Sequence, residues 1–247
     1  MKKIILLILP FLLLQSCANM ALRVMGILNE EAKIESFSND GGKEVVWIPM
    51  KHIATQDFYA NVRQVVDSFT SQGFVVLYEG AKPSFDDSLR MDTLERTFRK
   101  IMGMKVGSGY IDSANQVIAG KIEYKGKKTL MNQPSYSRLG VDMDKAVRVD
   151  VASDSLLYMF DQKYEIPELD SCDFSTPLQA EYTCESMAPT KARYFMKEYI
   201  LDHRNRHLAN YILEAETPKM LVIYGKLHIG GTFDELAKVD PSWVREK

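Results

Sequence analysis

The sequence lacks the excesses that mark several functional classes. Of its 247 residues, 31 are Lys or Arg and 33 are Asp or Glu, a net charge of -2. Without a basic surplus there is no field to hold a phosphate backbone, so no nucleic-acid partner is expected. Cysteine is scarce, three in all, too few for a disulfide-built scaffold or a four-cysteine zinc site. Only four histidines occur, so where each falls carries weight. The one long apolar run, Ile4 to Leu14, falls short of the ~20 residues a membrane-spanning helix needs. Gly225, Gly230 and Gly231 fit neither the dinucleotide nor the P-loop spacing, and no organic cofactor is expected. What remains is a chain 46% hydrophobic and 26% charged, long enough to bury one sizeable core.

The first residues read as an address. Lys2 and Lys3 precede the apolar run, and Leu14-Gln15-Ser16-Cys17 follows it. This order suits a secretory signal, and its end resembles the bacterial lipoprotein processing site. The resemblance implies cleavage before Cys17, fatty acylation (palmitate) at Cys17, and a protein held in the cell envelope facing the periplasm. Residues 1–16 are then signal peptide and residues 17–43 a tether and turn. Export makes a disulfide between Cys172 and Cys184 plausible in an oxidising compartment, with two free thiols as the alternative.

Beyond the Asn39-Asp40-Gly41-Gly42 turn, apolar runs and amphipathic stretches alternate. Glu44 to Ile48, Phe74 to Tyr78 and Lys219 to Tyr224 read as buried strands. Thr55 to Phe69 and Leu89 to Met102 read as helices, the first with Phe58, Val62, Val65, Val66 and Phe69 on one stripe. Val117 to Leu130 alternates around a hairpin turn at Tyr124 to Lys127. Asp154 is expected to cap a helix running to about Tyr164, residues 165–189 are loop-like, and a helical stretch opens at Thr190 with a break near Asp202. Thr232 to Val239 is a short last helix. Strands apolar on both faces, alternating with helices, predict a mixed α/β fold. Its central sheet is largely parallel and covered by helices, with an inserted hairpin and helical middle region. Residues 44–247 are read as one domain.

The rare polar residues fall at strand ends. His52 follows the first apolar run, Glu79 ends the second, and His228 follows the third. Ligands of open α/β sheets bind where the carboxyl ends of strands converge. Val46 to Ile53 also echoes Val222 to Ile229, each leading from an apolar strand to His and then Ile. Two imidazoles and a carboxylate suit Zn, Mn, Co or Fe. The same groups allow metal-free chemistry, with Glu79 as general base and a histidine as acid, or simple ligand binding. His203 and His207 stand i, i+4, but two arginines lie between them and the zincin glutamate is missing.

These residues resemble the TraB/Tiki superfamily, which includes GumN-like proteins. Gly225-Lys226-Leu227-His228 is similar to its second Gly-x-x-His motif, and His52 stands where the first belongs. Val75 to Glu79 resembles the strand delivering the family glutamate, and Arg204-Asn205 its arginine segment. The resemblance covers roughly residues 44–239. It departs at the first motif, where Pro49 replaces glycine. It implies a metal-dependent hydrolase acting on a peptide or small molecule, here joined to the lipid anchor expected at Cys17, with His52, Glu79 and His228 as ligands of a divalent ion. Glu79, Arg204 and Asn205 would be catalytic, Arg204 stabilising an oxyanion or binding a substrate carboxylate and Asn205 orienting it. The alternative is a lipoprotein that binds a peptide or small ligand without chemistry.

Overall fold

The computed structural model describes residues 20–104, 109–118 and 122–246. The signal segment and Cys17 lie outside the described residues. Among those described, no helix is long and apolar enough to cross a membrane. The chain divides into two compact units.

The larger unit comprises Lys33–Met50, Ser68–Ser108 and Val141–Lys247. Its six strands are β1 (Glu35–Ser38), β2 (Glu44–Met50), β4 (Val75–Tyr78), β9 (Val147–Arg148), β10 (Lys219–Gly225) and β11 (Val244–Glu246). They lie in the order β11-β1-β2-β10-β4-β9. β2, β10, β4 and β9 run parallel, while β1 pairs antiparallel with β2 and β11. The expected mixed α/β fold with a largely parallel sheet is present. β2 and β10 are buried along nearly their whole length, as expected of strands covered on both faces. β1 arises inside the stretch expected to be tether, where the Asn39–Gly42 turn folds it back on β2 with Gly42 at φ +81°. Pro49 lies within β2 opposite Tyr224, beyond Trp47, where the β1 pairing has ended. Its missing N–H therefore takes nothing from a ladder on that side.

α2 (Ser88–Met102) starts at Asp87, whose carboxylate accepts from Arg90 N, and ends at Gly103 in the left-handed conformation. α3 (Ser153–Tyr164) is not capped by Asp154, whose carboxylate instead accepts from Ser84 N and Oγ. Within the stretch expected to be loop, Ser171–Ser175 forms a short helix, α4, and Cys172 is disulfide-bonded to Cys184. The long helical stretch is continuous. It runs from α5 (Pro189–Tyr194) through a π-helical segment (Phe195–His203) into α6 (Arg204–Glu214), so the expected break is a change of winding. α7 begins at His228 rather than Thr232 and runs to Val239. One core packs Phe37, Trp47, Leu77, Leu208, Val222 and Leu236 around the sheet. A second packs Ile101, Leu157, Phe160 and Phe195 between helices.

Among the described residues, the smaller unit comprises Met20 through Ala32 and those of Lys51–Asp67 and Gly109–Gly140. This unit is built from three separate stretches of chain. β3 (Ile53–Thr55) pairs antiparallel with β8 (Leu130–Asn132). β5 (Ile111–Asp112), β6 (Val117–Ile118) and β7 (Ile122–Glu123) form a small antiparallel sheet. β7 pairs with β6 and β8 with β3, so the strands on either side of Tyr124 to Lys127 do not pair with each other as a hairpin there would require. α1 (Gln56–Ser71) belongs here through Asp67 and buries Phe58, Tyr59, Val62 and Val66. Thr55 Oγ1 accepts from Phe58 N at its start. Leu22, Ile53, Ile111, Tyr124 and Leu130 share this unit's core.

Candidate functional site

Three neighbouring parallel strands end together in the larger unit, and each delivers a polar residue. β4 is followed at once by Glu79, β9 by Asp150 two residues on, and β10 ends in Tyr224 and Gly225. Two helices begin over the same edge. Arg204 and Asn205 open α6, and His228 opens α7. The register fixes the approach, since Glu79 N donates to Ile223 O and Val149 N to Tyr78 O.

Arg204 is the hub. Its Nε donates to Asp150 Oδ1 at 2.8 Å and its Nη2 to Asp150 Oδ2 at 2.7 Å, a two-pronged pair. Nη2 also reaches Glu79 Oε1 at 2.8 Å and Tyr224 Oη at 3.2 Å. Nη1 lies 3.5 Å from His228 Nε2. The Asp150 side chain is fully buried and that of Arg204 is 6% exposed. Removing such charges from water is costly unless they are paired. Burial works to lower the Arg204 pKa, but the bonds to Asp150 and the neighbouring charges outweigh it, so the guanidinium stays charged. Burial likewise works to raise the Asp150 carboxyl. The bonds from Arg204, Gly80 and Tyr224 prevail and hold it below the ordinary value.

Gly225 shows why a glycine opens the Gly-x-x-His segment. Its N–H donates to Glu79 Oε2 at 2.7 Å. A side-chain carbon at this position would stand 3.3 Å from that oxygen and 3.4 Å from the His228 ring. Glycine thus lets backbone, carboxylate and imidazole close on one another. Glu79 keeps 16% of its side chain exposed, against 6% for Arg204, so it is the carboxylate of the cluster that solvent reaches.

His228 is oriented by Asn205. Asn205 Oδ1 lies 2.7 Å from His228 Nδ1. An amide oxygen only accepts, so Nδ1 carries the proton and Nε2 presents its lone pair to Arg204. Burial first, and then the Arg204 charge, push the His228 pKa down to about 4, leaving a neutral imidazole at neutral pH. Asn205 itself fits because residue 231 is glycine. A Cβ there would fall 2.1 Å from Asn205 Nδ2.

The structure brings together four of the five residues expected at the site: Glu79, Arg204, Asn205 and His228. Asn205 orients the imidazole, whereas the sequence suggested it would orient Arg204. His52 belongs to the smaller unit, where its exposed ring stacks on Tyr110 with centroids 4.8 Å apart. Asp150 and Tyr224 join the cluster without having been singled out as site residues. The available signal for Asp150 was the short alternation Val147-Arg148-Val149 ending in an acid. Two residues of strand are too few for periodicity to reveal.

Glu79 and His228, as arranged, do not fit a resident divalent ion. Both Glu79 oxygens are held by donors, His228 Nε2 faces a permanent cation, and that guanidinium stands where a bridging metal would have to sit. Among the described residues, no group of three or more His, Cys, Asp or Glu side chains could hold a metal ion. The cluster can instead offer a solvent-reached carboxylate, a rigid guanidinium and a neutral imidazole within one hydrogen-bonded set. No protein-family model, curated protein or solved structure matches the chain.

Proposed function

We propose that this protein is a lipid-anchored, periplasm-facing hydrolase of TraB/Tiki type whose reacting group is Glu79, working without a resident metal. The observation that carries this reading is the pairing of one guanidinium with two carboxylates of opposite circumstance. Asp150 is sealed and neutralises Arg204, while Glu79 is held by Arg204 and Gly225 yet open to water. A carboxylate oxygen has two lone pairs, so each Glu79 oxygen keeps one free after its present bond. Glu79 takes a proton from a water as that water attacks a substrate carbonyl, and returns it to the leaving alkoxide or amine as the tetrahedral intermediate breaks its C–O or C–N bond to give the acid. Arg204 has five N–H groups, and the remaining one on Nη1 faces the developing oxyanion. Neutral His228 accepts from the other Nη1 N–H and fixes the plane of the guanidinium. The substrate class is a peptide or a small ester or amide. Acylation at Cys17 places the site at the envelope membrane.

The test is a screen of the mature protein, in the presence of a chelator, against fluorogenic ester and peptide libraries. Glu79→Gln should lower turnover about 10²–10⁴-fold, the range for loss of a general base, with the disulfide and melting transition retained. Equal turnover in Glu79→Gln, or turnover that disappears with chelator and returns with a metal ion, would sink the reading. One feature favours ligand capture without chemistry: every member of the cluster is already hydrogen-bonded. Saturable binding of a library peptide with no hydrolysis would decide for that alternative.

A further inference from the structure

The helical turn over residues 20–24 carries an apolar face turned to solvent. Met20 is 69% exposed, Val24 83% and Met25 65%. At 3.6 residues per turn, positions 20, 21, 24 and 25 span an arc of about 140°, and all four are exposed and apolar. The side opposite is fixed. Leu22 is buried with Ile53 and Leu130 in the core of the smaller unit. The turn is closed by Gly26 N to Arg23 O and Ile27 N to Leu22 O, both 2.9 Å, and Lys51 Nζ donates to Gly26 O at 2.6 Å. The segment therefore cannot roll its methionines inward without surrendering Leu22.

The chain itself says what covers this face. Cleavage before Cys17 leaves three residues, Cys17 to Asn19, ahead of Met20, too few to fold over it. At about 3.5 Å per extended residue, a lipid-bearing Cys17 holds Met20 within about 10 Å of the bilayer surface. Arg23 is exposed beside the apolar arc, where a cationic head meets anionic headgroups while its stem lies against acyl chains. We propose that Met20, Val24 and Met25 seat in the headgroup–acyl boundary of the phospholipid membrane as a second contact beside the lipid, so that the smaller unit is oriented on the bilayer and not merely tethered to it. The proposal rests on the lipid-anchor reading for its occupant. A patch of this kind works with acylation as the second of two attachment signals.

The test separates seating from acylation. The mature chain from Ala18, carrying an N-terminal hexahistidine tag, is attached to phosphatidylethanolamine–phosphatidylglycerol vesicles containing a nickel-chelating lipid. The fluorophore NBD is placed at Val24→Cys, or at Val239→Cys, which is 67% exposed in the parent. Seating is shown if the label at position 24 brightens, shifts to the blue and is quenched by doxyl-labelled lipid, while the label at 239 stays aqueous. The proposal is overturned if both labels stay aqueous on vesicle-bound protein, or if both respond alike. It is also overturned if the label at 24 is already shielded without vesicles in a concentration-dependent way, which would mean a second copy covers the face. The lipid reading is checked apart, by radiolabelled palmitate in the full chain against Cys17→Ser. Its failure would leave Cys17 unlabelled whatever the fluorophores report.

Discussion

Adjacent glycines in one helix have opposite duties. A Cβ at Gly230 meets nothing within 4 Å, while one at Gly231 falls 2.1 Å from Asn205 Nδ2. Alanine in a helix interior is favoured over glycine by about 1 kcal/mol. Gly230→Ala should therefore stabilise by about 0.5–1 kcal/mol in urea unfolding. Gly231→Ala should destabilise by about 1–3 kcal/mol through overpacking and free the His228 ring. His228 also sets a pH dependence. Its folded pKa of about 4 lies below the ordinary 6.5, so the unfolded chain binds a proton the folded one refuses. The stability from this group is complete above pH 6.5, falls as pH drops, and is fully lost below about pH 4. At 1.36 kcal/mol per unit the change is about 3 kcal/mol. Urea titrations at pH 7 and pH 4.5 should show it in the parent and a flatter dependence in His228→Gln. The imidazole's place after a strand was legible in the sequence. Its tautomer was not, because Asn205 reaches it from another helix.

At the scale of elements, the end of α6 has an unusual cap. Ala215 follows the helix without a left-handed glycine, and the last carbonyls are taken by a side chain from far along the chain. Lys43 Nζ donates to Ile212, Leu213 and Ala215 oxygens at 2.6–2.9 Å. A cation at a helix C-terminus also meets the negative end of the dipole. Lys43→Met should lower stability by about 1–2 kcal/mol, read as an earlier melting transition with the secondary structure otherwise intact. β2, β4 and β10 were legible because burial leaves continuous apolar runs, whereas β1, β9 and β11 leave no such run. Val45 to Ile48 and Met220 to Tyr224 admit little else. The π-helical winding of Phe195–His203 was not legible, since it depends on how Phe195 packs with Phe160 and Ile101. That winding gives way to α6 at Arg204, the first residue of the site on this helix.

Taken as a whole, the larger unit is stapled where its secondary structure is thinnest. The Cys172–Cys184 bridge closes a span of 12 positions, and α2 grips the same span. Arg99 donates to the Asp173, Thr176 and Pro177 carbonyl oxygens, and Lys100 Nζ to the Asp173 carboxylate and to Asp170 just ahead of the span. Reduction should cost about 2–3 kcal/mol by the loop-entropy relation, seen as a lower melting temperature in dithiothreitol. Cys172→Ser/Cys184→Ser should melt at the lowered value with or without reductant. The pairing was open in the sequence because spacing alone does not exclude two thiols. The division into two units was hidden for a different reason. The smaller one is assembled from three stretches, and no linker composition marks where the chain crosses.

By itself the sequence determined the class of fold, the three central parallel strands of the sheet, and Glu79 and His228 as scarce polar residues at strand ends. Those features are local: apolar runs, scarce polar residues at their ends, and turn glycines. Only the tertiary structure decided that Asp150 and Tyr224 complete the cluster, that Arg204 fills the space between Glu79 and His228, and that Asn205 serves the imidazole. A buried charge is defined by what surrounds it, and these partners lie 20 to 125 positions away from Arg204 or His228 in the chain. No window of sequence contains them together.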